Sequence, residues 1–104
     1  MVDVEKWEKM PLSVQMGNIG SEINRVIHWE KLGKKEEKEN ALWRALELLD
    51  LTINQTKSWE LLRLREMICD KFLGENSYNI SSDFFKNYFL QFYLIGKGLN
   101  PSGK

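Results

Sequence analysis

The chain contains 104 residues, which corresponds to one domain spanning 1–104 and is enough to bury a hydrophobic core. Hydrophobic residues make up 42% of it, and lysine plus arginine equals aspartate plus glutamate at 15 each. This composition excludes chain-wide disorder, and the zero net charge excludes a general attraction to nucleic acid or anionic lipid.

The single cysteine, Cys69, can form neither an intramolecular disulfide nor a thiolate metal site by itself, which favours a reducing cytoplasm as the location. The first seven residues are too charged for a signal peptide. The longest apolar region, 84–95, is interrupted by polar residues and falls short of the roughly 20 residues that span a bilayer. We therefore expect a cytoplasmic protein with no membrane partner.

Residues 2–10 form an N-terminal segment in which 3–9 can make a short helical turn, with Val4 and Trp7 against the main body. The first main helix is predicted from about Pro11 to Leu32, because apolar residues recur there at spacings of three and four. Those residues are Leu12, Met16, Ile19, Ile23 and Val26. Gly33 then ends the helix as a C-cap.

Three further helices show the same 3.6-residue period. The second runs from about Lys35 to Asn54, with Leu42, Ala45, Leu46, Leu49 and Ile53 on its inner face. The third runs from about Lys57 to Leu73, with Leu61, Leu64, Ile68 and Phe72 inward. The fourth begins after a serine cap at Ser81 or Ser82 and ends near Gly96. Residues 97–104 read as a flexible tail.

The fold class predicted by these segments is all-α. No segment has the sustained apolar–polar alternation of a strand. Four amphipathic helices joined by short loops favour an antiparallel up-and-down four-helix bundle.

Two of the predicted helices carry more apolar surface than one core requires. Leu48 and Leu51 lie outside the main stripe of the second helix, and Leu90 and Leu94 lie outside that of the fourth. A helix that is apolar on nearly all sides is either central or covered by a partner. We therefore expect a homo-oligomer whose interface contains these four leucines; the alternative is that they are isolated exposed leucines, which are common.

Arg65 falls near the middle of the apolar arc of the third helix. A guanidinium there must be paired, reach solvent along its stem, or face a cleft. Asp50, at the margin of the second helix's apolar face, is the first candidate partner, and Glu47 and Glu66 are the others. Trp43 lies on the same polar side as Glu47 and Asp50, which indicates a contact surface or a packed edge. Together they predict a buried polar network or a binding site.

Arg25 and His28 are three apart on one side of the first helix. Such a pair can bind a phosphate and move a proton, as metal-free RNA cleavage requires, or it can simply be a solvated surface. His28 is the only histidine and no Glu-x-x-His motif occurs, so we expect no metal and no cofactor.

Gly17, Gly20, Ser21 and Asn24 leave a low ridge on the same helix. Glycine in a helix interior costs about 1 kcal/mol relative to alanine, so some contact should offset that loss. The ridge therefore indicates close approach of another helix, or a groove for a ligand or a peptide.

Two stretches, 17–25 (GNIGSEINR) and 44–52 (RALELLDLT), resemble short uncharacterised bacterial and archaeal helical proteins. More distantly, the predicted bundle is similar to HEPN-type proteins, which accompany small nucleotidyltransferases and some of which cleave RNA. Ribonuclease members of that family carry an arginine and a histidine separated by four to six residues on a late helix. Here only two residues separate Arg25 from His28, and both lie on the first helix.

The sequence supports two expectations about function. The first is a non-enzymatic helical interaction module that acts as an oligomer with a protein partner, and it predicts an exposed apolar patch. The alternative is a HEPN-like metal-independent ribonuclease or nucleotide-binding protein using Arg25 and His28, and it predicts a basic cleft containing His28.

Overall fold

A computed structural model describes residues 2–98, which form five helices and no strand. The helices are α1 (Val4–Lys9), α2 (Leu12–Lys31), α3 (Lys35–Thr56), α4 (Trp59–Phe72) and α5 (Ser82–Gly96). The predicted all-α class is confirmed. The four main helices correspond to α2–α5, and the N-terminal turn corresponds to α1. None of these helices, within the described range, is long and apolar enough to cross a membrane.

The short helix α1 is capped at its N-terminus and packs into the core through Trp7. The Asp3 carboxylate accepts a hydrogen bond from the backbone N–H of Lys6 at 3.1 Å, which caps its first turn. Trp7 is buried in the core, whereas Val4 is exposed. Of the two residues expected against the main body, Trp7 is therefore the one that enters the core.

The α2–α3 junction forms as its glycine predicts. Gly33 adopts a left-handed φ of 69°, and the N–H of Lys34 bonds the carbonyl of Trp29 at 2.9 Å. This arrangement satisfies carbonyls that the helix end leaves free. Leu12 is the exception in the apolar stripe of α2: it is the first residue of the helix and is exposed, while the other four are buried.

The α3–α4 junction differs from the prediction. Helix α3 continues to Thr56, and Lys57 then takes a left-handed φ of 56°. Ser58 caps α4 by accepting the N–H of Leu61 at 3.3 Å. Lys57 therefore ends one helix instead of beginning the next.

The loop between α4 and α5 is organised around Asp70. Its carboxylate accepts the backbone N–H groups of Ser77 at 2.9 Å and Tyr78 at 3.0 Å. Asn76 adopts a left-handed φ of 55° and donates its backbone N–H to the Asp70 carbonyl at 2.9 Å. The predicted flexible tail begins at Lys97, and residues 99–104 lie outside the described part of the chain.

Helix α2 is the centre of the packing. It packs most extensively against α3 and α5, and α3 also contacts α4 and α1. The core draws on all five helices. Its fully or nearly fully buried members include Trp7, Met16, Ile19, Ile23, Leu42, Leu49, Leu64, Ile68, Phe85 and Phe89.

Candidate functional site

An open groove follows the contact between α2 and α5. At one end it has a volume of about 480 Å³. That end is lined by Asn24, Ile27, His28 and Lys31 of α2 and by Lys86, Asn87 and Leu90 of α5. At the other end it has a volume of about 320 Å³. The lining there is Ser13, Val14, Gly17, Asn18 and Ser21 of α2 with Phe92, Tyr93, Gly96 and Lys97 at the end of α5.

The two ends are joined by a narrower middle section of about 160 Å³. This section shares Asn24, Lys86 and Leu90 with the first end. It shares Gly17, Ser21 and Tyr93 with the second. We call the whole feature the α2–α5 groove.

Two glycines of α2 shape the groove in different ways. A Cβ atom on Gly20 would stand 2.6 Å from the Cβ of Phe89, so α5 sits directly on this glycine. A Cβ atom on Gly17 would have nothing within 4 Å. Both structures expected for the small-residue ridge are therefore present: Gly20 permits the close approach of α5, and Gly17 leaves open space.

The charged residues that line the described α2–α5 groove are all lysines. His28, Lys31 and Lys86 line one end and Lys97 lines the other, and no aspartate or glutamate is among the described lining residues. No ion pair within residues 2–98 involves Lys31 or Lys86. The basic feature is local, because the whole chain has a net charge of zero.

The structure does not bring Arg25 and His28 into one site. Arg25 Nη1 bonds the carboxylate of Glu22, and Arg44 Nε donates to the other carboxylate oxygen at 2.7 Å. Glu22 is buried while both arginines are about half exposed. His28 packs edge-on against Trp29 with ring centroids 4.9 Å apart, and it faces the groove without Arg25.

Arg65 and Asp50 form a two-point ion pair between α4 and α3. Nε donates to Oδ1 at 2.6 Å and Nη2 donates to Oδ2 at 3.3 Å. The hydrogen bond with Asp50 raises the pKa of Arg65, although partial burial opposes the shift. The expected burial of the pair is wrong: the side chains are 38% and 53% exposed.

The other members of the predicted polar network lie apart from this pair. Glu47 and Trp43 are exposed, and no side-chain hydrogen bond within residues 2–98 links either one to Arg65 or Asp50. The expected buried network at these four residues is therefore absent from the described part of the chain.

The four leucines predicted at an oligomer interface differ in exposure. Leu48 and Leu51 are half-buried and pack against the core from α3. Leu90 is exposed on α5, and Leu94 is half-buried. Among these four leucines, only Leu90 on α5 is exposed.

A buried polar network that the sequence reading missed joins α1, α2 and α3. The Gln15 amide donates to the Trp7 carbonyl at 2.8 Å and accepts the Thr52 hydroxyl at 2.9 Å. The Trp7 indole N–H donates to Thr52 Oγ1 at 3.1 Å. Gln15 and Thr52 are fully buried. The available signal was that Gln15 lies four residues before Ile19 and Thr52 three after Leu49, on the apolar faces.

No group of three or more histidine, cysteine, aspartate or glutamate side chains in the part of the chain that the structure describes could hold a metal ion. No protein-family model, curated protein or solved structure matches the chain. The α2–α5 groove and the exposed side of α5 are consequently interpreted from their own chemistry.

Proposed function

We propose that the protein is a non-enzymatic helical interaction module that acts as a homo-oligomer with a protein partner in the cytoplasm. In this proposal α2–α5 form an antiparallel up-and-down four-helix bundle, and α1 is an appended segment held by Trp7.

The observation that supports the proposal is the outer surface of α5. This helix packs mainly against α2, so much of its circumference has no covering helix in the chain. Four of its large apolar residues are between 40% and 55% exposed. They lie on two sides of the helix: Leu90 and Tyr93 border the α2–α5 groove, and Phe84 and Ile95 do not line it. A helix that is apolar on both its packed and its outer sides is typical of an interface.

Sedimentation equilibrium tests self-association directly. We expect wild-type protein to show a concentration-dependent dimer or higher oligomer in the micromolar range. Leu90→Lys combined with Ile95→Lys should shift it to monomer, because two charges would be buried at the interface. Leu62→Lys, at an exposed leucine of α4, is the matched control and should leave the equilibrium unchanged. A wild-type monomer at high micromolar concentration would contradict the proposal.

A second candidate is a HEPN-like protein that binds nucleotides or cleaves RNA without a metal. The supporting observation is the basic end of the α2–α5 groove, where His28 stands with Lys31 and Lys86. Because Arg25 is bound to Glu22, nucleotide binding is better supported than cleavage. Incubation with single-stranded RNA tests cleavage: product should form with wild type and fall at least about 100-fold in His28→Ala, the range of a general acid or base. If the wild-type protein does not cleave RNA, the proposed ribonuclease activity is wrong.

A further inference from the structure

We propose that the α2–α5 groove binds an acidic amphipathic helix of a partner protein. This inference rests on the proposed function, because it names the chemistry of the partner. It is carried by three independent features of the groove: its length, its apolar residues and its charge.

The shape of the groove fits a helix. It follows α2 from Ser13 to Lys31, which is about 27 Å at 1.5 Å per residue, the length of a helix of about 18 residues. Ser13, Gly17 and Ser21 repeat every four residues and therefore form one row along α2. Small side chains in such a row let another helix approach closely, as α5 already does at Gly20.

The apolar residues of the groove stand on its walls. Leu90 and Tyr93 are exposed on the α5 side, and Val14 is exposed on the α2 side. An amphipathic helix places apolar residues at positions i, i+3, i+4 and i+7, and a groove of this kind covers them. Single-stranded nucleic acid fits less well, because it needs successive stacking rings. The exposed rings lining the groove within residues 2–98 are His28 at one end and Tyr93 at the other, which are not successive along it.

The charge of the groove selects an acidic partner. Lys31, Lys86 and His28 lie at one end and Lys97 at the other, with no carboxylate among the described lining residues. Glutamates flanking the apolar face of a bound helix would meet the ammonium groups of Lys31 and Lys86 at one end and that of Lys97 at the other. Such rim charges contribute mainly to specificity and association rate, so their effect should weaken as salt is added.

Fluorescence anisotropy with the full chain tests the inference. The probe is a labelled peptide of about 18 residues with leucine at helical spacing and glutamate elsewhere. Its matched control keeps every leucine and replaces every glutamate with lysine, and a single-stranded RNA is the third ligand. We expect the acidic peptide to bind with a Kd on the order of 10–100 µM. The lysine peptide should bind at least about tenfold more weakly, through lost charge complementarity.

Two variants locate the binding. Gly17→Leu should weaken binding of the acidic peptide at least about tenfold, because a branched side chain would fill a space that must be open for helix packing. The space around Gly17 makes this change compatible with folding, which circular dichroism verifies. The pair Lys31→Glu with Lys86→Glu should reverse the preference between the two peptides. Lys6→Glu, on α1 and outside the groove, should change neither the affinity for the acidic peptide nor the preference between the two peptides.

The inference is overturned if the acidic peptide fails to bind below about 1 mM, if both peptides bind equally, or if Gly17→Leu binds like wild type. It is also overturned if RNA binds and the peptide does not, or if peptide binding only replaces a second copy of the chain. Sedimentation of the same samples without peptide keeps the two proposals separate. If the protein is an oligomer but does not bind the peptide, only this inference is wrong. If it is a monomer and binds the peptide, only the proposed self-association is wrong.

Discussion

Gly20 and Phe89 lie so close together that a Cβ atom on Gly20 would stand 2.6 Å from the Cβ and 2.8 Å from the Cγ of Phe89. The absent side chain therefore sets the distance between α2 and α5. Gly17, three residues earlier on the same helix, has open space instead. Two glycines that look alike in the sequence thus have opposite structural roles.

Alanine at these two positions should change stability in opposite directions. Gly20→Ala forces Phe89 to move, and overpacking of this kind costs about 1–3 kcal/mol. That exceeds the gain of about 1 kcal/mol that alanine brings to a helix interior. Gly17→Ala brings the gain in helix propensity without any overpacking, so it should stabilise the protein. Urea unfolding gives both values, and equal midpoints for the two variants would show that α5 does not rest on Gly20.

The buried network at Thr52 gives a second prediction. Thr52→Val keeps the volume but leaves the indole N–H of Trp7 and the amide oxygen of Gln15 without their partner. An unsatisfied buried polar group costs about 1–3 kcal/mol, so we expect a loss of that size in the free energy of unfolding. Thr56→Val is the control, since this hydroxyl of an exposed residue makes only local bonds: it donates to the carbonyl of Thr52 and accepts the backbone N–H of Ser58. If both variants lose the same stability, the network does not hold α1.

Helical periodicity was enough to predict the elements of the fold, but not their ends. The burial of Met16, Ile19 and Ile23 follows from spacing alone, because spacing fixes which residues share a face. The sequence predicts Lys57 in α4 although it ends α3, because the left-handed backbone that ends a helix is usually marked by glycine and here the residue is lysine.

The features of the candidate site that could be predicted from the sequence are those that depend on one helix or on one pair of residues. Helical periodicity identifies Asp50 as the first candidate partner of Arg65, but it does not give the solvent exposure of the pair. The low ridge at Gly17 and Gly20 was visible in the sequence. The proximity of His28 to Lys86 was not, because it depends on how α5 crosses α2 in three dimensions.

The Arg65–Asp50 pair should be weakly coupled. Both side chains are more than a third exposed, so solvent screens the charges and a coupling of about 0.5–1 kcal/mol is expected even with two hydrogen bonds. The double-mutant cycle uses Arg65→Met, Asp50→Leu and the combined variant in urea unfolding. Added salt should reduce the coupling. A coupling above about 3 kcal/mol would instead indicate a pair that is buried in solution.

The hydroxyl of Tyr88 should be unfavourable for folding. It is buried and makes no hydrogen bond of standard geometry within residues 2–98, although the Glu60 carboxylate of α4 lies nearby. Burial, and then the negative charge of Glu60, raise the pKa of this phenol well above its usual range. Tyr88→Phe removes the unsatisfied group and should stabilise the protein by about 1 kcal/mol. Tyr93→Phe, at an exposed ring, is the control and should be near neutral. A destabilised Tyr88→Phe would reveal a hydrogen bond in solution.

Asp70 should make stability depend on pH in the acidic range. The backbone N–H of Tyr78, and then that of Ser77, lower the pKa of this carboxyl in the folded protein. A lowered folded pKa means that the stabilisation is fully present above the unfolded pKa of about 4 and is lost as pH falls through the folded value. Asp70→Asn has no charge to titrate, so its stability difference from wild type should be constant near neutral pH and shrink below about pH 4. Urea midpoints measured across this range test the sign, and a difference that stays constant down to pH 2 would show that the carboxylate does not hold the loop.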